Sequence, residues 1–76
     1  MADDLLDARG WTCPLPILRA KKKLNAMANG DLLTVLATDP SSVRDFASFC
    51  TQTGNALVES GNDGDGLFRY VIRKVV

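Results

Sequence analysis

The segment from Arg9 to Pro16, with the sequence RGWTCPLP, contains the side chain with the clearest chemical potential in this chain, the thiol of Cys13. Gly10 precedes the cysteine and favours a turn, and prolines follow it at positions 14 and 16. Proline is favoured in the first turn of a helix, where its missing N–H costs nothing. The pattern predicts a cysteine at the start of a helix that begins at Pro14, with Gly10, Pro14 and Pro16 positioning it.

Cysteine at this place favours a chemical role over a stabilising one, because Asp, Ser and Thr are the better capping residues. A helix N-terminus favours the thiolate, which is the nucleophilic form of the side chain. Pro14 and Pro16 have no N–H, so only Leu15 among the first three helical residues can donate to the sulfur. We therefore expect a mildly acidic thiol at Cys13, suited to attacking a sulfur atom and later leaving it.

Two other interpretations of Cys13 stay open. Cysteine is often a small buried hydrophobe and would then pack beneath Trp11. Alternatively, Cys13 senses oxidants by forming sulfenic acid. A dithiol oxidoreductase is disfavoured, since the chain has no Cys-x-x-Cys pair. Cys50 lies on the apolar stripe of a predicted helix, and we interpret it as a core residue.

Length and composition narrow the class of protein. A chain of 76 residues has room for one domain, spanning 1–76, without a deep pocket for a large cofactor. Its 46% hydrophobic and 24% charged residues are typical of a soluble domain, and a net charge of zero favours neither nucleic acid nor an anionic membrane. With two cysteines and no histidine, we expect no metal and no cofactor. The acidic N-terminus and the short apolar runs predict a cytoplasmic protein without a membrane partner.

Hydrophobic periodicity predicts elements in the order β-α-β-α-β-β. The strands are expected at 5–8, 32–38, 55–59 and 67–74, the helices at 14–28 and 40–53, and a hairpin loop at 60–66. For the second helix we predict Asp39 as the N-cap and Gly54 as the stop. The residues expected to form its apolar stripe are Val43, Phe46, Ala47 and Cys50.

This element order predicts a two-layer α/β sandwich. The first βαβ unit gives parallel strands and the closing pair is antiparallel, so the four-stranded sheet is mixed. Placing both helices on one face is the economical solution at this size. Leu33, Val35 and Ala37 then face the core, while Arg69 and Arg73 lie on the open face.

Basic residues concentrate on the first predicted helix, and they have two explanations. The run is either a solvated helix face or a docking surface for an acidic partner. The candidate partner-binding residues are Arg9, Trp11, Leu15, Arg19, Lys22 and Lys23. A nucleic-acid-binding or regulatory module without chemistry is the rival hypothesis. Against it, Phe68 and Tyr70 fall on the core side and leave no stacking platform, so we expect no direct binding of nucleic acid.

The run Arg9-Gly10-x-x-Cys13-Pro14-x-Pro16 resembles the signature of the TusA/SirA family of small bacterial sulfur carriers. Further similarities are Thr38-Asp39-Pro40, Arg44-Asp45, Phe49-Cys50 and the segment 68–74. The resemblance implies a two-layer α/β sandwich in which Cys13 accepts persulfide sulfur from a cysteine desulfurase. It also implies a downstream acceptor in a relay that ends in 2-thiouridine of tRNA.

Within that family the chain would be a sulfurtransferase-type carrier, which transfers persulfide sulfur between partners and does not turn over a substrate on its own. Other similar members serve molybdenum cofactor assembly or sulfur oxidation, and these pathways remain alternatives. The chain departs from the usual pattern at Trp11, where a smaller aliphatic residue is common, and at Leu15, where some members have an acidic one. Both positions are expected to line the rim that faces the partner.

Overall fold

A computed structural model of the chain describes residues 3–12, 14–62, 64 and 66–75. Within these residues the elements are β1 (Asp3–Ala8), α1 (Leu15–Asn25), β2 (Leu32–Ala37), α2 (Ser42–Thr53), β3 (Ala56–Asn62) and β4 (Phe68–Arg73). The strands lie in the order β1-β2-β4-β3, with β1 parallel to β2 and the other two pairs antiparallel. The predicted mixed sheet is confirmed. Within the described part of the chain, neither helix combines the length and the hydropathy that crossing a bilayer would require.

The alternation of side chains along β2 produces the two layers. Leu33, Val35 and Ala37 are 0% exposed, whereas Leu32 and Leu36 on the opposite face are only partly covered. Buried residues of both helices join one cluster with the same face of β1, β2 and β4, which places both helices on that face. The cluster consists of Leu6, Ala8, Ala20, Leu24, Leu33, Val35, Ala37, Phe46, Phe49, Cys50, Tyr70 and Ile72. The predicted α/β sandwich is thereby confirmed.

Helix α1 is shorter than the predicted range 14–28. Its N-cap is Pro14, so the first helical residue is Leu15 and not the proline. At the other end, the N–H groups of residues 26 and 27 donate to carbonyls three residues back, at 3.1 Å each, the tighter pattern of a last helical turn. The buried carboxylate of Asp31 then accepts the N–H of Ala28 at 3.0 Å. Residues expected to be helical therefore form the turn that leads into β2.

Helix α2 begins at Ser42 after the N-cap Ser41, so the prediction of Asp39 as the N-cap was wrong. Asp39 instead organises the turn before the helix. Its carboxylate accepts the N–H of Ser41 and its carbonyl accepts the N–H of Ser42, both at 3.0 Å. Gly54 ends the helix as predicted, in the left-handed conformation with φ of 84°.

The buried face of α2 is rotated relative to the predicted stripe. Phe46 and Cys50 are buried as expected, but Val43 is 46% exposed and Ala47 is exposed. Phe49 and Ser42 are buried in their place. The Ser42 hydroxyl lies 2.7 Å from the hydroxyl of Tyr70 on β4, and this hydrogen bond explains how a serine is accommodated in the interior.

Strand β3 extends to Asn62, beyond the predicted end at residue 59. Ser60, Gly61 and Asn62, which we expected in the hairpin loop, pair in register with residues 70, 69 and 68 of β4. The pattern suggested a loop there because glycine, serine and asparagine are turn formers. Backbone pairing with β4 overrides that preference.

Candidate functional site

Cys13, the predicted reactive residue, lies outside the described residues, so the site is defined by its neighbours in sequence. Thr12, Pro14 and Leu15 are all exposed. The Leu15 N–H donates to the carbonyl of Thr12 at 3.0 Å, which joins the backbone before position 13 to the backbone after it. The Leu15 N–H, which we predicted as a backbone donor to the sulfur, therefore has a backbone acceptor, and its relation to the sulfur lies outside the described residues.

Gly10 forms the turn that leads into the cysteine segment. The Trp11 N–H donates to the Ala8 carbonyl at 3.1 Å, and Gly10 adopts φ of 81°, as the third residue of a type II turn requires. The Gly10 N–H donates to Thr38 Oγ1 at 2.9 Å, which ties the loop to the end of β2. Sequence reasoning did not assign Thr38 to the site, and the only signals were its place directly after β2 and the family similarity at Thr38-Asp39-Pro40.

Arg9 forms a salt bridge with Asp7. The guanidinium makes two hydrogen bonds to the carboxylate, Nε to Oδ1 at 2.8 Å and Nη2 to Oδ2 at 2.7 Å. These bonds, and next the backbone N–H of Arg9, lower the pKa of Asp7 to about 2. The positive charge of Arg9 is thus largely balanced locally, which weakens its case as a partner-binding residue.

A cleft of about 460 Å³ lies between α1 and β1. Its lining includes Leu6, Trp11, Arg19, Lys22, Lys23 and Met27. Four of the six candidate partner-binding residues therefore meet in one place, whereas Arg9 and Leu15 are not part of this lining. Trp11 is half-buried and packs against the core cluster.

Cys50 is a buried free thiol, 4% exposed, and its interpretation as a core residue is confirmed. Burial raises the pKa of the Cys50 thiol and so favours its unreactive, protonated form. Among residues 3–12, 14–62, 64 and 66–75, no group of three metal-binding side chains lies together. The sequence places a second thiol at position 13.

Residues 5–74 match the family described as Sulfurtransferase TusA. The chain is 60% identical over 72 residues to the Sulfur carrier protein TusA of Allochromatium vinosum, covering 95% of this chain and 93% of that one. It is 51% identical over 73 residues to a putative sulfur carrier protein of Neisseria meningitidis serogroup A, covering 96% and 97%. A solved structure of a SirA-like protein from Desulfitobacterium hafniense matches with a TM-score of 0.85 and 27% identity, covering 96% of this chain and 99% of that one.

Proposed function

This chain belongs to the TusA family of sulfur carrier proteins, and from that premise we propose that Cys13 holds the transferred sulfur as a persulfide. The observation that carries the proposal is the exposure of Thr12 and Pro14, the residues on either side of the cysteine in the chain. The other thiol, Cys50, is buried in the core and unsuited to exchange with a partner protein. Exposed surroundings are what a thiol needs when two different proteins must reach it in turn.

The proposed reaction is an exchange of S–S bonds in two steps. In loading, the Cys13 thiolate attacks the terminal sulfur of a persulfide on the donor, the donor's S–S bond breaks, and the donor leaves as a thiolate. In unloading, a thiolate of the acceptor attacks the same terminal sulfur and Cys13 leaves as a thiolate. Each step forms one S–S bond and breaks one, so neither needs an oxidant or a reductant.

The partners follow from this chemistry and from the family resemblance. The donor is a cysteine desulfurase, whose product is a protein-bound persulfide, and the acceptor is the next protein of a cytoplasmic sulfur relay. The relay ends in the 2-thiouridine of tRNA. The chain, as one domain spanning residues 1–76, acts in this relay as a sulfur carrier that turns over only with its partners. The neutral net charge supports a protein acceptor and not tRNA itself as the species bound.

Loading is tested by intact-mass spectrometry after incubation with a cysteine desulfurase and cysteine. The protein should gain one sulfur atom, and the gain should disappear on reduction with a thiol. Cys13→Ser should show no gain, whereas the matched variant Cys50→Ala should be loaded like the unmodified protein. A sulfur retained by Cys13→Ser refutes the assignment of the persulfide to Cys13.

The tRNA assignment needs a separate experiment in cells that depend on this chain. Nucleosides from hydrolysed tRNA are quantified by mass spectrometry with Cys13→Ser in place of the original gene. We expect 2-thiouridine derivatives to fall to the level of a strain without the gene. Unchanged 2-thiouridine in the Cys13→Ser strain, when the unmodified protein is loaded with sulfur in vitro, would overturn the pathway and leave the carrier chemistry standing.

A further inference from the structure

The cleft between α1 and β1 combines an apolar floor with a basic rim. Leu6 is 6% exposed at the floor, where Trp11 and Met27 are half-buried. Arg19 and Lys22 are exposed at the rim. A binding groove of this kind offers hydrophobic contact in its centre and charge at its edge, which is the usual anatomy of a protein interface.

The charges at the rim are not balanced within the cleft. Lys23 pairs with Asp4, with Nζ to Oδ2 at 3.1 Å, so this cation is partly neutralised. Arg19 and Lys22 form no ion pair with any other residue that the structure describes. The chain as a whole has zero net charge, and so this positive patch is a local feature and not an effect of composition.

The position of the cleft connects it to the cysteine. Trp11 lies two residues before Cys13 in the chain, and the cleft extends from Trp11 along α1 to Met27, just past the end of the helix. On the other side of α1, a smaller groove of about 230 Å³ between α1 and α2 has Pro14 and Asp45 in its lining. The helix that follows the cysteine therefore separates a basic cleft from a groove with an acidic residue.

We propose that the cleft between α1 and β1 binds an acidic segment of a partner protein that places a leucine-like side chain on Trp11 and carboxylates against Arg19 and Lys22. This inference rests on the proposed function, because it identifies the chemistry of a partner that reaches Cys13. Trp and Arg are the residue types that most often dominate the binding energy of such interfaces. The rim charges select an acidic partner, and the apolar floor anchors it.

A protein segment fits these features better than RNA does. Binding to a nucleic-acid backbone requires several cations, one for each neutralised phosphate, and the rim has two unpaired ones among the described residues. The floor residues Leu6 and Met27 are aliphatic and have no role in contacting phosphates or base edges. The test must therefore distinguish binding of a peptide from binding of RNA by the same cations.

Trp11 is the single tryptophan of the chain, so its fluorescence reports directly on occupancy of the cleft. The probe is a synthetic ten-residue peptide of glutamates with two leucines. Two further ligands are a peptide with serine in place of leucine and a ten-nucleotide oligoribonucleotide. The leucine peptide should change the Trp11 emission saturably, with a Kd below about 1 mM that weakens as salt is raised. The serine peptide should bind at least several-fold more weakly.

Charge reversal identifies the rim residues. The double variant Arg19→Glu/Lys22→Glu should bind the leucine peptide about tenfold more weakly, since each exposed charge contact contributes modestly. The matched control is Lys21→Glu/Arg44→Glu, which reverses two exposed charges that are not part of the cleft lining and should leave the affinity unchanged. Circular dichroism of both variants checks that the fold is retained.

The outcomes are distinct from those of the proposed function. Sulfur loading on Cys13 is measured on the same samples, and a protein that binds the peptide but is never loaded refutes the carrier assignment alone. The present inference is overturned if a protein that loads sulfur shows no change in Trp11 emission when the leucine peptide is added. It is also overturned if the double variant binds that peptide as tightly as the control variant does. Tighter binding of the oligoribonucleotide, lost in the double variant, overturns it in favour of a nucleic-acid site.

Discussion

Gly10→Ala should destabilise the protein through backbone strain alone. Gly10 adopts φ of 81°, and a Cβ added there meets no atom within 4 Å, so no side-chain clash contributes. An L-residue in the left-handed region costs about 1–2 kcal/mol, and alanine recovers about 0.4–1 kcal/mol by restricting the unfolded chain. The free energy of unfolding should therefore fall by about 1 kcal/mol, and the Tm by about 4–8 °C for a chain of this size.

Gly61→Ala is the matched control because it adds the same methyl group in equally open space. Gly61 has no left-handed φ, and its added Cβ also meets nothing within 4 Å. This variant should keep its stability or gain about 0.4–1 kcal/mol. Urea denaturation followed by far-ultraviolet circular dichroism measures both variants. If Gly10→Ala proves as stable as Gly61→Ala, the turn does not depend on the conformational freedom of glycine, and the reasoning fails.

Two further predictions concern the Tyr70–Ser42 hydrogen bond and the Asp7–Arg9 pair. Tyr70→Phe removes a bond of 2.7 Å and leaves the Ser42 hydroxyl buried, so urea denaturation should show a loss of about 1–2 kcal/mol. The loss should shrink in a Ser42→Ala background, and an equal loss there would contradict the bond. Arg9→Gln should raise the pKa of Asp7 from about 2 towards 3.8, as measured by NMR titration of its carboxyl carbon, and an unchanged pKa would contradict the pairing. Because folding lowers this pKa, the contribution of Asp7 to stability is present above pH 3.8 and is lost as the pH falls through about 2.

The sheet and its buried face were predictable because they rest on a strong alternating pattern. Leu33, Val35 and Ala37 repeat at every second position, and a shift of one residue would expose all three. Helix ends were less predictable. The pattern at 26–28 is compatible with a helix, but the last turn tightens at residues 26 and 27, and the Asp31 carboxylate then accepts the Ala28 N–H. This is a contact between side chain and backbone that periodicity does not register.

The rotation of α2 has a similar origin. Val43 and Ala47 are more hydrophobic than Ser42, so periodicity assigned them to the core. The structure buries Ser42 because the hydroxyl of Tyr70 reaches it from the sheet. A pairing between residues 28 positions apart in the chain satisfies a polar group that sequence reasoning expects to face water.

The candidate site was predictable in its residue types but not in its pairings. The cysteine segment and the basic face of α1 are visible in the sequence, and four of the six candidate partner-binding residues do line one cleft. The pairing of Arg9 with Asp7 and of Lys23 with Asp4 was not anticipated. The second of these joins α1 to β1 across 19 positions, and only the folded arrangement brings the two charges together. The fold therefore determines which cations have no ion pair within the described residues and can contact a partner.

The start of α1 indicates what the two prolines contribute to a sulfur carrier. They remove two N–H groups from the start of the helix, and the Leu15 N–H donates to the Thr12 carbonyl, so residues 14–16 have little backbone donor capacity left for the thiolate that we propose at Cys13. What the segment does offer is a fixed backbone on both sides of position 13. Gly10 is tied to Thr38, and Thr12 is tied to Leu15. A thiol that must fit two partners in turn gains from flanks that are already ordered, because neither binding event then has to order them at a cost in affinity.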